Sequence, residues 1–210
     1  MSWVSPTSLR VLHAVRLLGH ADSLAIAARA GAGHDRSVEV LRDAERRGWV
    51  RHLAFAGDGG WSLTEEGRAE NERQLTHERG IADPGNVVDA VHRDFLPLNA
   101  RLLRAVTDWQ LKPADGDRLA PNTHDDGAWD DRVLAELAAL STALVPLAGR
   151  LTATLARFGG YDDRFEAALR RARAGHHDWV DRTGIDSCHR VWFQLHEDLV
   201  ATLGIDRGGS

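Results

Sequence analysis

One cysteine, one methionine, one tyrosine and, among 26 basic residues, one lysine make a sparse inventory for 210 residues. A lone Cys188 cannot close an intramolecular disulfide or supply a multi-cysteine zinc site, and its isolation fits a reducing compartment. No run of about 18 uncharged apolar residues is present. The start, Met1-Ser2-Trp3-Val4-Ser5-Pro6, has no basic region leading into an apolar segment, so neither export nor membrane insertion is expected and the reading is cytoplasmic. A large excess of one charge is also missing. With 31 acidic residues the net charge is −5, which argues against a protein that grips nucleic acid by bulk positive charge. Gly-x-Ser-x-Gly and zinc-protease signatures are absent, and Gly57-Asp58-Gly59-Gly60 lacks the Lys and helix of a phosphate loop. Ser187-Cys188-His189 sets a nucleophile beside an imidazole in sequence, but adjacent helical residues diverge by about 100°. Neither an enzyme nor a cofactor is expected.

What is present is enough for a real core: 43% of residues are hydrophobic and 27% charged. The length suggests one large domain or two modest ones. Charge is unevenly divided. Residues 1–64 hold eight Arg against six acids, a balance of +2 that leaves −7 for the remainder. The preference for Arg suits bidentate contacts to phosphate, carboxylate and guanine, although a GC-rich genome gives the same skew.

The first segment reads as short elements. Leu9, Val11, Leu12, Val15, Leu17 and Leu18 mark a helix that ends at Gly19. A second runs from Asp22-Ser23 to Ala30, and Gly31-Ala32-Gly33 makes a turn. A third starts near His34-Asp35, with Asp35 as N-cap, turning Val38, Leu41 and Ala44 inward. Three helices with a glycine turn before the third form a helix-turn-helix skeleton. Residues 49–55 and 61–64 then read as two strands around the turn 57–60, and Thr64 caps a fourth helix with Glu65 and Glu66 in its first turn.

This order, with Ala44-Glu45-Arg46-Arg47-Gly48-Trp49-Val50 closing the third helix and Leu63-Thr64-Glu65-Glu66-Gly67 closing the hairpin, resembles the winged-helix domain of MarR-like bacterial transcription regulators. The resemblance covers about residues 7–79 and implies a transcription regulator bound to double-stranded DNA. The family's flanking dimerisation helices have no counterpart ahead of the first helix, and about 130 residues follow instead. In this reading the fold is mainly α: a winged helix with a β-hairpin over residues 1–80, and an all-α effector-binding and dimerisation domain over 81–210.

The third helix is the recognition candidate. His34, Arg36, Ser37, Glu39 and Arg42 are expected to face solvent, with Arg51 on the first strand. Arg reads guanine edges or phosphate, and an α-helix fits the major groove. Asp58 at the hairpin tip counts against a strong contact there, and Asp35, Glu39 and Asp43 allow the alternative of an ordinary solvated helix face.

In the second segment, residues 87–106 suggest a long helix kinked or broken near Leu96 by Pro97, and Lys112–Gly127 a loop. A helix over 129–158 interrupted at Pro146, one over 161–174 and a last one over 187–203 follow. Trp109, Trp129, Tyr161, Trp179, His189, Trp192 and His196 are candidates to line an effector pocket. His189 and His196 lie two turns apart with Phe193 between them. No His-x-x-x-His or Glu-x-x-His spacing supports a metal, so none is expected. The expected assembly is a homodimer with a small-molecule effector. Alternatives are a winged-helix adaptor that binds protein, and an enzyme or metal-binding protein in the C-terminal helices.

Overall fold

The computed structural model describes residues 2–55, 58–114 and 116–205, without the side chains of residues 54, 55 and 58. It is mainly helical with one two-stranded antiparallel sheet. In order come α1 Thr7–Leu18, α2 Ser23–Ala30, α3 His34–Arg46, β1 Val50–Phe55, β2 Asp58–Leu63, α4 Glu65–Ala82, α5 Val87–Gln110, α6 Gly127–Thr154, α7 Tyr161–Arg173, α8 Asp178–Asp181 and α9 Cys188–Leu203. A 3-10 turn, Ala156–Phe158, precedes α7.

The chain forms two compact units that are not consecutive in sequence. The first takes in residues up to Val88, Thr152–Arg157 and the chain from Glu197 onward; the second is Asp89–Leu151 with Phe158–His196. Two short later segments thus return to the first unit.

In the first unit, α1, α2 and α3 pack around Val11, Leu12, Val15, Ile26, Leu41 and Ala44, and Val50 and Trp61 of the sheet complete this core. Asp22 caps α2 by accepting from Ala25 N at 2.8 Å, and Gly31 ends it in the left-handed region (φ 57°). The expected cap at Asp35 is not there: Gly33 occupies the N-cap of α3 and Asp35 lies in its first turn, where a carboxylate favours the helix dipole. The strands pair Val50 with Leu63 through Phe55 with Asp58, so Asp58, Gly59 and Gly60 belong to β2 and not to the turn. The expected turn residue Gly57, and the Asp58 side chain, lie outside the described residues.

Thr64 Oγ1 accepts from Gly67 N at 3.0 Å to start α4. Gly67 has a steric reason to be glycine, since a Cβ there would come within 1.7 Å of the Trp49 carbonyl oxygen. Strand end and helix start are thus joined with no room for a side chain.

The second unit is built on α5, α6, α7 and the first half of α9. Phe95 stacks on Trp192 at 4.9 Å, Phe165 meets Trp192 at 5.4 Å, and Tyr161 is buried, donating from its hydroxyl to Gln194 O at 3.3 Å. Pro97 and Pro146 lie inside α5 and α6, which run on past them, so neither proline ends its helix; the packing of each helix outweighs the loss of one backbone donor. Among the described residues α6 is the one helix long and apolar enough to cross a membrane, by length and composition alone.

Candidate functional site

The inward stripe of α3 is Ser37, Leu41 and Ala44, with Val40 packed against the same core. Its opposite side carries His34, Arg36, Glu39 and Arg42, all exposed, and Arg51 is exposed on β1. Ser37 is the exception among the expected contacts: it is fully buried and its hydroxyl donates to Gly33 O at 2.9 Å, so it fastens the first turn of α3 and presents nothing outward. Val38 is only half-buried, because the helical period puts residues 37, 41 and 44 on one line and 38 to its side.

Charges on this face are largely paired within it. Arg36 Nη1 donates to Glu39 Oε2 at 2.8 Å, and Asp43 accepts from Arg47 at 2.8 Å and from Arg46 at 3.0 Å. The Arg47 hydrogen bond, with Arg46 behind it, holds the Asp43 carboxyl below its usual range. His34 Nε2 lies 2.9 Å from Ser23 Oγ across the turn. Among the described residues Arg42 and Arg51 have no ion-pair partner and are the cations left for an outside anion.

The aromatic candidates of the second unit do not gather at one place. Trp109 sits in one cluster, against His124 at 4.5 Å and His177 at 5.4 Å. There His124 Nδ1 lies 2.9 Å from Asp130, and Asn122 donates to the Trp109 carbonyl and to Asp130, both at 3.0 Å. Trp192 and His196 belong to another, sharing Phe95, with Trp192 Nε1 donating to Asn99 Oδ1 at 3.1 Å and His92 6.2 Å from His196. His92 is buried and its Nε2 has no hydrogen-bond partner among the described residues; burial pushes its pKa down against the pull of Asp89.

The remaining candidates serve elsewhere. Trp129 donates to Asp108 O at 2.6 Å under the Arg132 guanidinium, and Trp179 lies 4.0 Å below that of Arg171. Among the described residues neither makes a ring contact with the other candidates. His189 is half-buried, its pKa lowered by burial against Asp181, and Phe193, expected between the two histidines, is 47% exposed. Cys188 is buried and its thiol is pushed up to about 12, which removes it as a nucleophile at neutral pH. Among the described residues no three His, Cys, Asp or Glu side chains are placed to hold a metal ion.

Sequence reasoning missed a buried charge cluster in the first unit. Asp198 lies at its centre, close to Arg157 Nη1, with His13 Nε2 at 2.9 Å and Arg29 at 3.9 Å. Arg157 also donates to Glu78 at 3.0 Å and Thr202 at 2.7 Å; Glu78 accepts from Trp3 Nε1 at 3.2 Å. His13 Nδ1 lies 3.2 Å from Asn71 Oδ1, and Arg16 joins Glu197 and Glu72, each at 2.8 Å. Burial by itself raises the Asp198 carboxyl, but Arg157, His13 and Arg29 overcome it and hold the group far below the usual range. The exposures of His13, Arg157 and Asp198 are only 4%, 4% and 1%, so no substrate reaches them and the cluster is structural. The one sequence signal for it is His13, a polar residue inside the apolar run Val11-Leu12-His13-Ala14-Val15; Asp198 follows His196 and Glu197 and carries no such mark.

No protein-family model, no curated protein and no solved structure matches this chain.

Proposed function

We propose that the protein is a DNA-binding transcription regulator whose first unit is a winged helix that reads operator DNA through α3. The reading rests on one observation above the rest: α3 is anchored by Ser37, Leu41 and Ala44 while its other side offers exposed Arg42, with Arg51 exposed on the following strand. The order α1-α2-α3-β1-β2-α4 and the left-handed Gly31 before α3 support it, together with the likeness to MarR-like regulators. As a two-fold dimer, the protein would set two α3 helices roughly 34 Å apart in successive major grooves. An effector would act by shifting that spacing.

Arg42→Ala is expected to weaken operator binding by about 1–3 kcal/mol, read by fluorescence anisotropy on the upstream DNA of its own gene. Unchanged affinity sinks the assignment of α3. A protein-binding adaptor is the second reading, favoured by the internal pairing of Arg36, Arg46 and Arg47 with Glu39 and Asp43. DNA binding that shows no steep loss of affinity with rising salt supports that reading instead.

A further inference from the structure

We infer that the outer face of the α5–α6 pair is where a second copy of this chain docks. Arg101 bonds Glu136 at 2.7 Å and Arg150 bonds Asp94 at 2.6 Å, which ties the two helices side by side and antiparallel. Between these ion pairs the solvent side is apolar. Pro97 and Ala100 of α5 are exposed, as are Ala135, Ala139, Thr142, Val145 and Pro146 of α6. Only 39% of the most apolar 18-residue stretch of α6 is buried, although its composition is that of a core helix. An apolar stripe left in solvent along a helix of this composition marks a place where something else packs.

Charge and shape point to a second copy. Asp131 at one end of the α6 face is exposed and has no ion-pair partner among the described residues; Arg150 lies at the other end. Antiparallel pairing of two α6 helices about a two-fold axis near Leu140 and Ser141 brings Ala139 level with Thr142 of the other copy. In the same register Ala135 meets Pro146, and Asp131 comes level with Arg150, twice by symmetry. Side chains this small allow close approach of the helices, and two α5–α6 pairs together make a four-helix bundle. From Asp131 to Gly149 the face is roughly 27 Å long, and two helices make it roughly 20 Å wide. With side-chain relief that approaches the ~800 Å² per partner of a standard interface. A lipid surface fits less well, because the border of the face is of mixed sign, with Asp94 and Asp131 exposed beside Arg150, where anionic headgroups call for a basic one. The docking face gives the two-fold reading above a location, yet it stands without DNA being the partner of α3.

The test is sedimentation velocity of the full chain without DNA. Wild type is expected to be a dimer at tens of micromolar, and Ala139→Glu, which sets like charges together across the axis, a monomer with unchanged helical circular dichroism. Asp131→Arg is expected to weaken the dimer at least tenfold, and Asp131→Arg combined with Arg150→Asp to regain most of the loss. Cys188 is buried, so Thr142→Cys supplies the one accessible thiol, and a short bis-maleimide is expected to link two copies there. A monomeric wild type overturns the proposal, whether it stays in solution or floats with phosphatidylglycerol vesicles. So does a dimer that Ala139→Glu leaves intact. Loss of DNA binding by a variant that still dimerises counts against the α3 reading alone.

Discussion

The two units close their interiors by different means. In the second, aromatic rings do the packing: Phe95, Phe165, Tyr161 and Trp192 are all buried, and the Tyr161 hydroxyl and Trp192 Nε1 are hydrogen-bonded. In the first, an aliphatic core under α1, α2 and α3 lies beside a buried ionic cluster assembled from α1, α2, α4, the 3-10 turn and the end of α9. Ring packing tolerates loss of one contact in proportion to the area lost. A buried ion network does not, because removing one charge leaves its partners unpaired in a medium that penalises them. The first unit is therefore the one whose integrity depends on residues from the far end of the chain.

That contrast can be broken most directly at the cluster. Asp198→Ala takes the central carboxylate away from Arg157, His13 and Arg29, and is expected to cost about 3–5 kcal/mol in urea denaturation. Trp192→Ala removes a ring of the second unit at a similar cost, about 3–5 kcal/mol. Hydrogen exchange separates the two: the first should expose amides of α1 and α4, the second those of α5 and α7. Identical exchange patterns would mean that the units do not differ in this way.

Acid sharpens the comparison further. The Asp198 carboxyl is held below its unfolded value of about 3.9, so its contribution is complete well above that pH and declines as pH falls through and below it. The stability gap between wild type and Asp198→Asn should shrink between about pH 5 and pH 3, whereas the Trp192→Ala deficit should stay constant over that range. Gly67→Ala comes next, at about 1–3 kcal/mol, because the Trp49 carbonyl facing its new methyl group is backbone and cannot rotate away. The smallest effect belongs to the exposed pair: Arg36→Ala should move thermal stability by no more than about 0.5 kcal/mol, since both partners are about two-thirds exposed.

Local signals carried much of the fold. Gly19, the start of α2 at Asp22-Ser23, the Gly31 turn and the Thr64 cap all stand where the sequence pattern put them, because each depends on the backbone within a few residues. The same kind of signal misled where packing outweighs propensity. Pro97 and Pro146 stay within helices held by many neighbours, and Ser37, polar by type, is buried because its place on α3 faces the core. Of the candidate sites, the exposure of Arg36, Glu39, Arg42 and Arg51 follows from helical and strand periodicity. The division of the aromatic residues between the Trp109 and Trp192 clusters does not, since it depends on which helices become neighbours.

By itself the sequence determined that this chain is mainly helical, where the early elements start and stop, and that one short β-hairpin follows the third helix. Those are consequences of hydrophobic period, caps and glycine, all read over a turn or two. Only the tertiary structure decided that Asp198, 185 residues from His13, closes the first unit around a buried charge. Only there does α6 become an apolar helix with an exposed stripe of Ala135, Ala139, Thr142 and Pro146 along one side. Both are matters of which distant segments meet, and no local pattern encodes a meeting between side chains whose separation is set by the whole fold.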